Sequence, residues 1–430
     1  MAHVVTAFLR NRGEVLLVRR SDTAGTYPGR WGGVSGSVEG DADDPLADAR
    51  REVREETGIG EEQLTLVRRG DPVAVDDAEG SFTVHPFLFD CATRAATPNA
   101  ELAATEWVRP PAMLARETVP RLWDAYRAVG PTAETVAADR THGSAEVSVR
   151  ALAALRDEAA SLAHTDGSWD DLAATARRLR DARPGMTVLA TRVNRVLQEA
   201  DRTPTAVRDR AAAAVAAAVD ADDRAAREAV ALLAAHGDDG ADPAVVTLSR
   251  SGTVAETLER LDGPVFVAES VPGGEGRDVA ASLATDGRAV TLVPDAAVAS
   301  LLATGRVDAA VVGADAVFPD GSVANKVGTR GLALAAAREG VPVFAVTARD
   351  KVAPTDAFHP EWADFAAPDG VEAYAPLFDR APGECVSVVT EDGVFDREAV
   401  RAVAEDHRAL AAWDAEGDAD RGGDGDDGKE

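Results

Sequence analysis

The chain has little cysteine and little lysine, and it has no long apolar run. Its 430 residues include 2 cysteines, Cys91 and Cys385, too few for a disulfide framework or a cysteine-based zinc site. No uninterrupted apolar stretch reaches the length of a membrane-spanning helix, and the N-terminus lacks the basic-then-apolar pattern of a signal peptide. We therefore expect a cytoplasmic protein that does not bind membranes.

Positive charge is also scarce. Lys and Arg number 45 against 74 Asp and Glu, so the formal net charge is −29. This balance argues against direct binding of nucleic acid, whose phosphates repel an acidic surface. Lysine occurs only as Lys326, Lys351 and Lys429, and every other basic residue counted here is arginine. An acid-rich, lysine-poor and alanine-rich composition is typical of proteins from a salt-loving host, such as a halophilic archaeon.

The most informative pattern that is present is a set of three carboxylates near the N-terminus. Glu52, Glu55 and Glu56 are spaced i, i+3 and i+4, so they share one face of a helix. Like charges at this spacing repel and need a compensating partner, and Mg²⁺ takes carboxylate oxygens together with substrate phosphates. The alternative is a solvated face on which Arg51 pairs with Glu55 at i, i+4.

The surroundings of the three glutamates favour a site over a solvated face. Leu46, Ala49 and Val53 form an apolar stripe about a quarter turn away. Pro45 suits the first turn of the helix, and Gly58 suits its end. Strand-like runs flank the unit at residues 15–18 and 82–89. Together these features predict a metal-assisted site for phosphate chemistry.

The segment resembles the sequence box of the Nudix hydrolases. Arg51 through Ile59 match its second half, Arg-Glu-aliphatic-x-Glu-Glu-x-Gly-aliphatic, at every position. The first half departs from the pattern: Asp43 stands where the family has Glu, and Gly36 is one residue too far away. The resemblance covers residues 1–129 and implies an α/β/α sandwich with a mixed sheet.

The resemblance also implies an activity. Nudix hydrolases cleave nucleoside diphosphates linked to another moiety and use Mg²⁺ or Mn²⁺. Carried onto this chain, Glu55 and Glu56 would hold the metal, and Glu52 would be a further ligand or the base that activates water. Gly36 would lie in the substrate loop. The substrate itself is not indicated by the sequence.

Four further regions follow the first. Residues 130–147 have turn formers and small residues without clear periodicity, and we expect a linker. Residues 148–235 have a helical pattern, and residues 243–413 alternate valine-rich strand-like runs with helical stretches, which favours a doubly wound parallel sheet. Residues 414–430 form a Gly/Asp-rich acidic tail that we expect to be disordered.

Polar residues cluster where the predicted parallel strands end, the edge at which open sheets bind ligands. They are Ser249, Arg250 and Ser251 after the first strand, Glu269 and Ser270 after the second, and Asp315 after the fourth, from which a loop with Asn325 and Lys326 leads into a helix. Small residues and free backbone N–H groups at a helix start suit a phosphate, and Lys326 supplies a compact ammonium in a chain that otherwise uses arginine. The alternative is structural: Asn325 caps a helix, Asp315 bonds loop amides, and Lys326 has no role.

This region resembles the family of the initiation factor 2B alpha, beta and delta subunits, which includes methylthioribose-1-phosphate isomerase and ribose-1,5-bisphosphate isomerase. The match rests on Gly313-Ala314-Asp315 and on Asn325 through Thr329, with weaker motifs in the family's order elsewhere. It spans residues 148–413 and implies a helical part followed by a Rossmann-like part. It also implies a sugar-phosphate or nucleotide ligand and assembly into homo-oligomers through this domain.

The resemblance extends only partly to the catalytic residues. Asp315 matches the family's catalytic aspartate, but Ser249 occupies the position of its cysteine. A serine hydroxyl has a far higher pKa than a thiol and would need separate activation. Val271 replaces a phosphate-binding arginine, and Arg150 is retained in a motif that has lost its glycine. The serine at position 249 makes the chain more similar to the ligand-sensing members of the family.

The sequence therefore predicts a fusion. The leading hypothesis is a Mg²⁺-dependent hydrolase of a nucleoside diphosphate derivative or of phosphoribosyl pyrophosphate, fused to a domain that binds a sugar phosphate or nucleotide. One alternative for the second domain is a ribose-1,5-bisphosphate-type isomerase that uses Asp315. The other is a non-catalytic, regulatory or oligomerising protein.

Overall fold

The computed structural model describes residues 2–41, 44–237, 242–285 and 287–414, and the chain divides into two compact units. The first unit comprises Met1–Thr132, Ala153–Ala173 and Thr203–Ala216; the second comprises Ala133–Leu152, Ala174–Arg202 and Ala217–Glu430. Asp43 and residues 415–430 of the predicted acidic tail lie outside the described residues.

The first unit contains the strands of one sheet and two helices of the N-terminal part. The strands are β1 (Ala2–Asn11), β2 (Glu14–Arg20), β3 (Trp31–Gly32), β4 (Val34–Ser37), β5 (Leu64–Arg69), β6 (Val73–Asp77), β7 (Gly80–Cys91) and β8 (Leu102–Val108). The helices are α1 (Leu46–Thr57) and α2 (Leu122–Val129). As predicted, α1 follows Pro45 and ends at Gly58, which adopts a left-handed conformation at φ 69°.

The sheet of the first unit is mixed. Its main order is β3-β2-β1-β7-β5, and β4, β6 and β8 pair with β1, β7 and β2 respectively. Strands β1 and β7 run parallel to each other, whereas the other pairs are antiparallel. Two predicted runs are confirmed as strands here, since residues 15–18 lie in β2 and residues 82–89 lie in β7.

Each face of this sheet packs against one of the two helices. Ala49 and Val53 of α1 are buried in one apolar cluster with Val5 of β1. Leu122 and Tyr126 of α2 are buried in a second cluster, whose strand residues alternate along the chain with those of the first cluster. Because side chains alternate between the faces of a strand, α1 and α2 lie on opposite faces of the sheet.

Five helices follow in the chain. They are α3 (Ala133–Ala138), α4 (Ser144–His164), α5 (Trp169–Arg180), α6 (Thr187–Glu199) and α7 (Pro204–Leu233). The helical character predicted for residues 148–235 agrees with these bounds. The segment 130–147, for which we expected a linker, contains α3 and the start of α4. Ala133 and Val136 of α3 are buried, so two apolar residues suffice to hold a short helix that has no visible periodicity in the sequence.

The second unit contains the remaining strands and helices. The strands are β9 (Val245–Leu248), β10 (Val265–Ala268), β11 (Val290–Val293), β12 (Ala309–Val312), β13 (Ala316–Val317), β14 (Val323–Lys326), β15 (Val343–Val346), β16 (Phe378–Ala381), β17 (Ser387–Thr390) and β18 (Gly393–Phe395). The helices are α8 (Gly252–Leu258), α9 (Glu275–Thr285), α10 (Val298–Leu302), α11 (Thr329–Glu339) and α12 (Arg397–Ala409).

A seven-stranded sheet in the order β11-β10-β9-β12-β15-β17-β18 forms the centre of the second unit. All neighbouring pairs are parallel except β17 and β18, an antiparallel edge that the sequence analysis does not predict. Apolar clusters cover both faces, one with α8 and α9 and the other with α10, α11 and α12. The direction of strand addition reverses between β9 and β12, and in such sheets ligands bind beyond the carboxyl ends of the strands at that point.

Strands β13, β14 and β16 form a separate antiparallel sheet. Asn325 and Lys326 therefore end a buried strand, whereas the sequence analysis places them in a loop leading into a helix. The helix α11 begins only after Gly328, whose φ of 106° suits glycine. Among the described residues, no helix has the length and apolar character needed to cross a membrane.

Candidate functional sites

The first candidate site lies where α1 meets β4. Gly36 of β4 has no side chain, and a Cβ atom built there would overlap the carboxylate of Glu52. The backbone N–H of Ser35 donates to Oε2 of Glu56 at 3.4 Å. The structure thus brings Gly36, Glu52 and Glu56 together, as the sequence analysis expects.

The three glutamates differ in exposure, although the sequence makes them look alike. Glu56 is only 3% exposed, and its pKa is raised to about 8, first by burial and then by the charge of Glu52. Burial also raises the pKa of Glu52, against the nearby charge of Arg51. Glu55 is exposed. Two carboxylates therefore lie in a setting that disfavours negative charge, and the third reaches solvent.

Arg51 holds the loop before α1 in place. It donates to the carbonyl of Ser37 at 3.1 Å and to Asp48 at 3.0 Å, and Asp48 in turn accepts from the backbone of Glu39 at 3.3 Å. The Arg51–Glu55 pair considered from the sequence is long, at 3.9 Å. Arg51 thus ties the loop to the helix more closely than it pairs with Glu55.

The side chains around the carboxylates of α1 decide whether a divalent cation fits this site. Among the described residues, no group of three or more His, Cys, Asp or Glu side chains stands in the geometry of a preformed metal site. The donor set nevertheless fits Mg²⁺ or Mn²⁺, because hard cations prefer carboxylate oxygens, and the buried Glu56 and the partly buried Glu52 both have raised pKa values. Glu101, which the sequence analysis does not select, adds to the negative charge at Glu52 and Glu56.

The second candidate site lies at the carboxyl ends of β9, β10 and β12 in the second unit. Ser249 follows β9 with φ at 62°, a left-handed conformation that is uncommon for serine, and its N–H donates to Oγ of Ser270 at 2.6 Å. A Cβ atom on Gly313 would lie 2.8 Å from Oγ of Ser251 and 3.7 Å from Oδ1 of Asn325. Ser251, Gly313 and Asn325 are therefore immediate neighbours.

Asp315 lies beside a buried lysine. Burial raises the pKa of Asp315, and the charge of Lys351 lowers it, with the Ser144 hydroxyl acting in the same direction. Lys351 is 2% exposed, and its Nζ donates to the carbonyl of Ala314 at 2.6 Å. Burial lowers the pKa of Lys351. The sequence analysis does not select Lys351, although the scarcity of lysine in this chain is a signal that could have identified it.

Lys326 does not stand free in this site. Its Nζ is 2.8 Å from Oε1 of Glu275, and the ammonium is almost fully buried. Asn325 donates to Oγ1 of Thr329 at 3.0 Å, inside the turn that leads into α11. Glu275 therefore neutralises the cation that we expected to meet a phosphate.

Arg150 and Arg250 are engaged elsewhere in the second unit. Arg150 bonds Asp139 at 2.8 Å and Glu146 at 2.6 Å, and Arg250 donates to the carbonyl of Thr141. Although burial alone would raise the pKa of Asp139, hydrogen bonds from His142 and from the Thr141 backbone hold it below its usual range. Both arginines thus fix the segment 139–146.

An arginine–carboxylate pair also lies near Asp315. Arg183 forms two hydrogen bonds with Glu361, at 2.7 and 3.2 Å. The charge of Arg183 lowers the pKa of Asp315, whereas that of Glu361 raises it. Neither Arg183 nor Glu361 is selected as a site residue from the sequence.

Comparison with known proteins separates the two parts of the chain. The profile of the NUDIX domain matches residues 2–129, and the profile of the initiation factor 2 subunit family matches residues 140–397. Methylthioribose-1-phosphate isomerase of Gemmatimonas aurantiaca is 34% identical over 252 residues, which are 52% of this chain and 72% of that protein. The isomerase of Heliobacterium modesticaldum is 35% identical over 164 residues, which are 33% of this chain and 46% of that protein.

The fold of the second part has a counterpart among solved structures. Translation initiation factor eIF-2B of Pyrococcus horikoshii OT3 aligns with a TM-score of 0.54 and 24% identity over 61% of this chain and 94% of that chain. At this identity the likeness concerns the fold alone. Since the family profile covers more than half of the 430 residues, the chain belongs to the initiation factor 2 subunit family and carries a NUDIX domain at its N-terminus.

Proposed function

We propose that the N-terminal part hydrolyses a nucleoside diphosphate derivative or phosphoribosyl pyrophosphate with the help of Mg²⁺ or Mn²⁺. Glu52, Glu55 and Glu56 would hold the metal, and Gly36 leaves the space that Glu52 occupies. The observation that carries the proposal is the buried carboxyl of Glu56 with its pKa near 8 beside Glu52. A divalent cation would stabilise this pair in the form in which both carboxyl groups are ionised.

The residues and the metal would divide the work. A bound divalent cation would lower the pKa of a water and neutralise phosphate charge. Arg51 and Asp48 hold the end of β4, which carries Gly36, and the loop after it against α1, which fixes the position of the carboxylates. Glu52, next to this loop, would serve as a further ligand or accept the proton of the attacking water.

The test is phosphoanhydride hydrolysis by the whole chain with Mg²⁺ in high salt. The panel holds ADP-ribose, phosphoribosyl pyrophosphate, dinucleoside polyphosphates and NADH, and each is also run with Glu56→Gln. Glu62→Gln is the matched control, because Glu62 is exposed and outside the site. We expect turnover that Glu56→Gln abolishes and Glu62→Gln retains. Absence of turnover by the wild type on every substrate would contradict the proposal.

For the C-terminal part we propose a Rossmann-like binding domain for a sugar phosphate. The chain's relatives include methylthioribose-1-phosphate isomerases, and Asp315 lies beside Lys351 at the carboxyl end of β12. An isomerase moves a proton between neighbouring carbons, and a partly buried acid with a raised pKa suits such a transfer. A non-catalytic sensor is the second candidate, because Ser249 stands where the isomerases are expected to carry cysteine.

Isomerase assays separate the two candidates. Methylthioribose 1-phosphate and ribose 1,5-bisphosphate are offered to the wild type, Asp315→Asn and Asp356→Asn, the last being an exposed control in the same unit. Ketose formation that only Asp315→Asn abolishes supports the isomerase. Binding of either sugar phosphate without conversion supports the sensor, and absence of binding at millimolar concentration contradicts both.

The fusion itself has a chemical rationale. Hydrolysis of ADP-ribose gives AMP and ribose 5-phosphate, and removal of the terminal phosphate from phosphoribosyl pyrophosphate gives ribose 1,5-bisphosphate. Either product is a ligand of the class proposed for the second domain. We also propose that the domain boundaries lie near residues 129 and 148 and that the C-terminal domain forms homo-oligomers, which sedimentation of the whole chain would test.

A further inference from the structure

The first unit has a cavity on the face of its sheet opposite α1. It has a volume of about 480 Å³, and its lining consists of Met113, Leu114, Arg116, Thr118, Arg121, Leu122, Trp123, Asp124, Arg127, Ser161, His164 and Thr165. The charged and titratable groups in its wall are Arg116, Arg121, Arg127, His164 and Asp124. Three guanidinium groups against one carboxylate are unusual in a chain whose formal net charge is −29.

Each of these arginines is positioned by a carboxylate but retains donors. Arg116 forms two bonds of 2.8 Å with Glu106, Arg121 donates through Nε to Asp124 at 3.0 Å, and Arg127 donates through Nη2 to Glu158 at 2.8 Å. A guanidinium carries five N–H donors, so these contacts fix the groups without exhausting them. Glu106 and Glu158 are not among the lining residues.

One of the remaining donors is buried. Nη1 of Arg127 is inaccessible to solvent and has no hydrogen-bond partner among the described residues. Leaving a buried charged donor unpaired is unfavourable, so such a group calls for an acceptor. A turn of the guanidinium toward the cavity would bring Nη1 to an anion there, which would supply one.

The backbone at the cavity points the same way. Arg121 precedes α2 with φ at 57°, a left-handed conformation, and no side chain caps the helix. The N–H of Leu122 donates to the carbonyl of Val119 at 3.4 Å, so the first turn of the eight-residue helix α2 presents the N–H groups of Trp123 and Asp124 without a side-chain cap beside the guanidiniums. Helix N-termini favour anions. Trp123 donates to Oγ of Ser161 at 3.1 Å, so the opposite wall is held by a hydrogen bond.

We propose that this cavity, which we call the arginine groove, binds a phosphorylated small molecule through its phosphate groups. Guanidiniums match phosphate oxygens in pairs. The groove and the carboxylate site are separate, because α2 and α1 lie on opposite faces of the sheet. Asp124, its one lining carboxylate, is paired with Arg121, so the groove binds its ligand without a metal.

Removal of divalent cations separates binding in the groove from binding at the carboxylate site. In EDTA the glutamates of α1 repel a polyanion, so calorimetric titration of the whole chain with inorganic pyrophosphate reports on other sites. We expect a Kd below about 1 mM for the wild type and roughly tenfold weaker binding for Arg127→Gln. Orthophosphate and AMP, titrated in parallel, identify which phosphate source is preferred.

Two variants make the result decisive. Arg94→Gln is the matched control, because Arg94, like Arg127, donates through Nη2 to a glutamate, Glu14 at 2.7 Å, but does not line the groove. It should bind pyrophosphate as the wild type does. Lys326→Gln tests the site of the second unit. Equal affinity of Arg127→Gln and the wild type, loss only in Lys326→Gln, or no binding at all would each overturn the proposal.

The outcome is independent of the hydrolase proposal. Hydrolysis is measured with Mg²⁺ present and is abolished by Glu56→Gln, a change that should leave pyrophosphate binding in EDTA intact. A melting curve of Arg127→Gln that matches the wild type in the absence of ligand excludes unfolding as the cause of weaker binding.

Discussion

The carboxyl group of Glu56 is buried one helical turn beyond Glu52 on α1, and burial together with the charge of Glu52 raises the pKa of Glu56 to about 8. Near neutral pH the site therefore keeps a proton in place of one negative charge. A divalent cation would displace that proton, so metal binding and proton release are coupled. The acid–base behaviour of α1 is thus a direct readout of the metal site.

The first prediction concerns stability in EDTA. The folded chain holds a proton on Glu56 up to about pH 8, whereas the unfolded chain loses it near 4.5, so stability falls as pH rises between these values. Glu56→Gln removes this loss and raises the melting temperature at pH 8 by roughly 5 °C. Calorimetry with and without Mg²⁺ tests this, since Mg²⁺ should stabilise the wild type but not the variant. A control with Glu62→Gln should follow the wild type, and a variant that melts lower contradicts the prediction.

The second prediction concerns Gly36. In Gly36→Ala the new methyl group displaces the Glu52 carboxylate, whose flexible end can move without disturbing the fold. We expect hydrolysis to fall about a hundredfold while the melting temperature changes little. Gly25→Ala is the control, because a Cβ atom there meets nothing within 4 Å. Equal activity in both variants would show that Glu52 does not need its present position.

The third prediction concerns Lys326 and its partner Glu275. Glu275 neutralises the ammonium at 2.8 Å, so a phosphate must compete with it. Glu275→Gln should tighten sugar-phosphate binding by roughly tenfold, and Lys326→Gln should weaken it. Glu339→Gln changes the net charge equally at an exposed position and serves as the control. Weaker binding in Glu275→Gln would mean that the pair itself contacts the ligand.

The fourth prediction concerns Lys351, whose charge lowers the pKa of Asp315. Removal of the charge in Lys351→Met favours the protonated acid, so the acidic limb of the pH profile should move to higher pH. The profile can be measured for isomerisation or, in a sensor, for sugar-phosphate affinity. Lys351→Arg keeps a cation and should leave the limb in place. A limb that stays fixed in Lys351→Met would remove Asp315 as the group responsible.

The sequence predicts the helix α1 well because its signals are local. Pro45, the apolar stripe of Ala49 and Val53, and Gly58 act within the helix and its ends. The different exposure of Glu55 and Glu56 is not local, since it depends on how α1 packs against β4. No spacing rule distinguishes two adjacent glutamates until the strand that covers one of them is known.

The second site is less predictable for the same reason. The strands of the parallel sheet are recognisable as valine-rich runs, and Asp315 follows from its place after one of them. Lys351, Glu275 and Glu361 come from distant parts of the chain, and their contacts with Asp315, Lys326 and Arg183 depend on the tertiary fold. The sequence pattern places Asn325 and Lys326 in a loop, because a short strand in a small antiparallel sheet shows too little alternation of apolar and polar residues to be detected.

The burial of Lys326 and Lys351 has a practical consequence in a chain with so few amines. Both side chains are buried, Lys326 beside Glu275 and Lys351 near Asp315. The remaining lysine in the sequence is Lys429. Expression with ¹³C-labelled lysine would place three labelled residues in the chain, two of them buried inside the second unit. Their chemical shifts would then report ligand occupancy there in a spectrum with almost no competing signals.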